Sequence, residues 1–100
     1  MIAPSGLPLA VYLQEKTSHS LRLGWLPPAI ESQNGVIRQY IVKITEEDTN
    51  TTAYHQSNTT QISIEDLHPY YVYKYSVAAE TIGIGPFSMI GTVQLDEDSQ

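Results

Sequence analysis

The chain has 100 residues, of which 41% are apolar, 16% are charged and none is cysteine; this is enough for one core without disulfides, and it leaves no thiolate nucleophile or cysteine-based metal site. Eleven acidic residues against five basic ones give a net charge of −6, which argues against nucleic acid and anionic membrane surfaces as partners, because both demand clustered cations. No apolar run approaches the roughly 20 residues of a helical span, so direct membrane insertion is not expected.

In chain order, the apolar pattern has a period of two and no segment sustains a helical period. Leu9, Val11 and Leu13 alternate with Ala10, Tyr12 and Gln14, and Leu21, Leu23 and Trp25 alternate with Ser20, Arg22 and Gly24. Pro27-Pro28 then ends the second strand, since proline donates no ladder hydrogen bond. Asn34-Gly35 is a turn pair, and Tyr40, Val42 and Ile44 follow as a third stripe in which Ile41 is an apolar misfit. A short strand is expected around Ala53 to Gln56, and another at Ile62 and Ile64. Tyr71, Tyr73, Tyr75, Val77 and Ala79 form the longest stripe, opposed by Val72, Lys74, Ser76, Ala78 and Glu80. Gly83, Gly85 and Pro86 make a bend before a last strand, about Phe87 to Leu95, which Gly91 interrupts. Seven short strands at regular spacing predict an all-β, two-sheet antiparallel sandwich.

Several of these residues together resemble a fibronectin type III domain over about residues 4–95. They are Pro8 and Val11, Trp25 with Pro27-Pro28, Asn34-Gly35 with Tyr40 and Val42, Leu67-x-Pro69, Tyr73, Val77 and Ala79, and the closing Gly83-x-Gly85-Pro86-x-Ser88. The resemblance implies a seven-stranded immunoglobulin-like sandwich in which Trp25, Tyr40, Leu67, Tyr73, Tyr75 and Val77 belong to the core. It makes Tyr73 the tyrosine corner, with its ring buried and its hydroxyl bonded to backbone a few residues upstream. Loss of that hydroxyl is then expected to leave a buried acceptor unpaired. The four tyrosines between Tyr70 and Tyr75 accordingly read as scaffolding rather than as a recognition or phosphorylation motif, because a period-two aromatic stripe is what a buried strand face requires. Residues 96–100, opening with Asp96-Glu97-Asp98, read as an acidic linker whose like charges keep it extended.

No catalytic, cofactor or metal site is expected. His19, His55 and His68 lie in different segments without metal-ligand spacing, and no Gly-x-Ser-x-Gly elbow is present. Glu46-Glu47-Asp48 reads as a solvated charge run, and Gly83-x-Gly85 lacks the strand-to-helix context of a phosphate cradle. The chain reads as a non-enzyme.

Two features can carry function. Asn50-Thr51-Thr52 and Asn58-Thr59-Thr60 are N-glycosylation sequons flanking the short fourth strand. Glycans there would project from one side and blunt an edge strand. Ile30, Ile82 and Ile84 fall in the loops after the second and sixth strands. Either Ile30 and Ile82 fold inward as core plugs, or the three form an apolar contact patch at the end where the chain enters. Arg-Gly-Asp and Trp-Ser-x-Trp-Ser motifs are absent, so integrins and cytokine-type ligands have no support. The leading reading is a non-catalytic extracellular module of a single-pass cell-surface receptor or adhesion protein. Its partners would be neighbouring domains of the same chain and a protein ligand or receptor. A structural module of an intracellular giant protein and a spacer of a secreted enzyme are the alternatives.

Overall fold

The computed structural model describes residues 6, 8–28, 37–81, 83–85, 87, 88 and 90–97. Within them, alternating apolar and polar residues produce strands because a period of two places one set on a single pleated face. Seven strands form among the described residues: β1 (Leu9–Lys16), β2 (Leu21–Leu26), β3 (Gln39–Glu46), β4 (Thr51–Ser57), β5 (Gln61–Ile64), β6 (Val72–Glu80) and β7 (Gly91–Gln94). They build two antiparallel sheets, one ordered β1-β2-β5 and the other β4-β3-β6-β7. This is the expected all-β sandwich of immunoglobulin type, a three-stranded sheet facing a four-stranded one. The Asn34-Gly35 turn, Pro86 and the two loop isoleucines Ile30 and Ile82 lie outside the described residues.

The inner faces meet in one core. Leu21, Leu23 and Trp25 come from β2, Tyr40, Val42 and Ile44 from β3, and Tyr73, Val77 and Ala79 from β6. Ile64, Val93 and Leu95 complete it. Each large side chain taken out of water contributes about 1.5–3 kcal/mol. Trp25 meets Tyr40 nearly edge-on, with ring centroids 5.4 Å apart and planes at 65°, the arrangement that ring quadrupoles favour. Leu67, Tyr71 and Tyr75 are only partly buried, at the core's margin.

Strict alternation fails on the outer face of the four-stranded sheet. Ile41, Ser76 and Ala78 point away from the core, yet all three are buried. Ile41 pairs with Ala78, and Lys43 pairs with both Ser76 and Tyr54. Phe87 lies against this face, with its centroid 6.5 Å from that of Tyr54 and 5.9 Å from the Lys43 ammonium. The misfit at Ile41 is therefore a second, smaller apolar layer.

The last strand is also shorter than expected. Regular pairing with β6 begins at Gly91, not near Phe87. Before it, the chain follows β6 by irregular bonds. The Gly85 amide donates to the Ala79 carbonyl and the Ser88 amide to the Val77 carbonyl. The Val77 amide donates to the Ser88 hydroxyl at 3.0 Å. Gly91 does not interrupt the strand but opens it, and a Cβ there would lie 2.3 Å from the ring of its cross-strand partner Tyr75. Gly24 does the same for Tyr12, its partner on β1, at 2.8 Å. Both glycines permit a close approach that no other residue allows.

Candidate contact surfaces

The corner before β6 is built around Tyr73. Its ring is buried, and its hydroxyl accepts a hydrogen bond from the His68 amide at 2.9 Å. The partner is thus a backbone donor, not the acceptor expected from the sequence. Burial raises the Tyr73 phenol above its ordinary value of 10.0; the His68 amide opposes this, while the charges of Glu46, Tyr71 and Asp48 add to it. Burial likewise raises Tyr40. Around the corner, His68 stacks on Tyr71 with centroids 5.0 Å apart, and Tyr70 is exposed with a positive φ of 66°. Asp96, assigned by its sequence to the linker, is held here. The Tyr70 amide donates to its carbonyl, its own amide donates to Thr17, and its carboxylate lies 3.4 Å from Lys16.

The three histidines remain apart. His19 Nδ1 lies 3.0 Å from the Leu67 carbonyl, His55 sits on β4, and His68 is in the corner. Among the described residues no three acidic or histidine side chains converge on a metal-sized site. One shallow polar hollow of about 150 Å³ lies beside Glu15, Arg22, Ser63 and Glu65. A second, more apolar groove of about 190 Å³ lies beside Lys43, Thr45, Lys74 and Ile90.

The sequon asparagines stand exposed in turns at the two ends of β4, Asn50 after β3 with a φ of 55° and Asn58 before β5. Asparagine tolerates that left-handed conformation better than most residues. β4 is an edge of its sheet, so both asparagines share one lateral edge but occupy opposite poles. Asn58 is at the chain-entry pole, where the Trp25 amide donates to Thr60 and Leu9 pairs with Leu26. Ile84 is at the same pole, bridged to Glu80 and half exposed. Sequence reasoning missed the aromatic pair of Tyr54 and Phe87 on the outer face, and the exposed Ile90 that lines the groove beside Lys43. Their only trace is a set of apolar residues, Ile41 and Ala78 among them, at outward positions of otherwise alternating strands.

The sequence model of the fibronectin type III domain matches residues 4–94. The chain belongs to the fibronectin type III family. Receptor-type tyrosine-protein phosphatase F of Danio rerio is 36% identical over 86 residues, covering 85% of this chain and 4% of that protein. Ephrin type-A receptor 4-A of Xenopus laevis is 43% identical over 75 residues, covering 72% of this chain and 7% of that protein. Among solved structures, the FN5 domain of Drosophila Lar superposes with a TM-score of 0.77 at 25% identity, covering 96% of this chain and all of that one. Domains A168–A170 of titin give 0.83 at 22% identity, covering 95% of this chain and 33% of that one, a likeness of fold. The chain therefore spans less than a tenth of the curated relatives' length. A fibronectin type III domain is in general a non-catalytic module, and it recurs in membrane receptors as well as in titin and twitchin.

Proposed function

We propose that this fibronectin type III domain, residues 4–95, is an extracellular module of a larger cell-surface receptor or adhesion protein. In it the domain acts as spacer and protein contact surface within a tandem array, followed by a short acidic linker. The observation that carries the reading is the placement of Asn50 and Asn58, both exposed in turns that a glycosyltransferase can reach. The receptor-type relatives support it, as each contributes a stretch matching most of this chain. The exposed Ile84, at the pole where a preceding module would join, supports a role in domain–domain contact.

The test is the intact mass of the chain secreted from eukaryotic cells, before and after enzymatic removal of N-glycans. Loss of one or two glycan masses is expected. An unchanged mass would remove the observation that carries the extracellular reading and bring an intracellular structural module level with it.

A further inference from the structure

Each sheet of the sandwich has two edges, and among the described residues three of the four carry a device that discourages pairing with another chain. β1 contains two register irregularities and ends in Glu15 and Lys16. β5 is four residues long and runs into Glu65 and Asp66. β7 is also four residues long, and the Lys16 ammonium occupies its Gln94 carbonyl at 2.8 Å. β4 differs from all three. Its seven residues keep unbroken register with β3, from Tyr40 opposite Ser57 to Glu46 opposite Thr51. It contains no proline, glycine or charge, and no charged residue occurs anywhere in residues 49–64. What β4 does have is a sequon at each end.

We propose that β4 pairs edge to edge with β4 of a second copy of this chain, and that N-glycans on Asn50 and Asn58 block that pairing. The occupant follows from charge and symmetry. Two copies that each carry −6 repel over most approaches. The uncharged β4 edge puts no like charges against each other. An antiparallel two-fold pairing centred on Tyr54 sets Thr51 opposite the second copy's Ser57, Thr52 opposite Gln56 and Ala53 opposite His55. Hydroxyl, amide and aromatic cross-strand pairs of this kind favour association. Tyr54 is exposed and already leans on Phe87, so the two tyrosines meeting at the axis extend one aromatic row across both outer faces. A bulky glycan at either end of a strand this short stands in the path of the incoming edge.

Sedimentation of the bare chain made in bacteria, over a concentration series reaching about 1 mM, tests the pairing. The mean mass should climb toward that of a dimer, and the β4 amides facing away from β3 should gain exchange protection as concentration rises. Tyr54→Lys places two cations at the axis without touching the core and should weaken association about tenfold or more. Thr92→Lys on β7 should leave it unchanged. A monomer throughout the series, protection that does not rise on β4, or a dimer indifferent to Tyr54→Lys would each overturn the pairing. The chain secreted with glycans at both sequons should stay monomeric at the same concentrations. Equal association of that form, or secretion without glycans, would overturn the blocking role alone.

Discussion

At the residue scale, Tyr73 shows how a single atom can hold a corner. The hydroxyl accepts the His68 amide in a part-buried bond beneath the corner, so removing it takes away that donor's partner within the protein. Tyr73→Phe is therefore expected to cost about 1–3 kcal/mol in equilibrium unfolding at neutral pH. An unchanged urea midpoint would show that the amide finds another acceptor and that the corner does not depend on the phenol. Trp25 is the contrasting case. Its ring is buried and packed on Tyr40, yet its indole N–H has no acceptor among the described residues. The ring's area, not its polar atom, justifies its place in the core.

At the element scale, the strands that face the core were legible because alternation reports burial on one side. The stripes at Leu21–Trp25 and Tyr40–Ile44 needed nothing more. The stretch before β7 was not legible. There the Val77 amide is satisfied by a serine hydroxyl rather than by a backbone ladder, and a side-chain acceptor leaves no periodic trace in sequence. Gly91 was misread for a related reason: a glycine in a strand looks like an interruption unless the ring that occupies its missing side chain is known. The Tyr75 ring lies across it. Gly91→Ala is thus expected to destabilise by about 1–3 kcal/mol, through displacement of that ring. In a Tyr75→Ala background the same change should be neutral or slightly stabilising, since alanine disfavours the unfolded chain relative to glycine. A double-mutant cycle measures the coupling directly, and additive effects would mean that ring and glycine are independent.

At the scale of the whole molecule, the contact surfaces were only half legible. The sequons are explicit in sequence, but it takes sheet order to place both on one unguarded edge, and Phe87 reaches Tyr54 and Lys43 only through the fold. Sheet order also concentrates two buried phenols, Tyr40 and Tyr73, in the same sandwich, and this gives the domain a particular response to alkali. Burial raises both above 10.0, with the His68 amide partly opposing the shift at Tyr73. Below about pH 10 both folded and unfolded chains keep these protons, and the phenols contribute their full stabilisation. Above it the unfolded chain releases them first, so stability falls as pH rises from about 10 through the folded values. Urea midpoints measured from pH 8 to 11 should show this decline. Tyr73→Phe starts lower at neutral pH but lacks one of the two titrating groups, so its curve should be shallower and its deficit should narrow above about pH 10. A deficit that stays constant across that range would mean that the Tyr73 phenol ionises equally readily in both states, and that its burial does not bear on its proton.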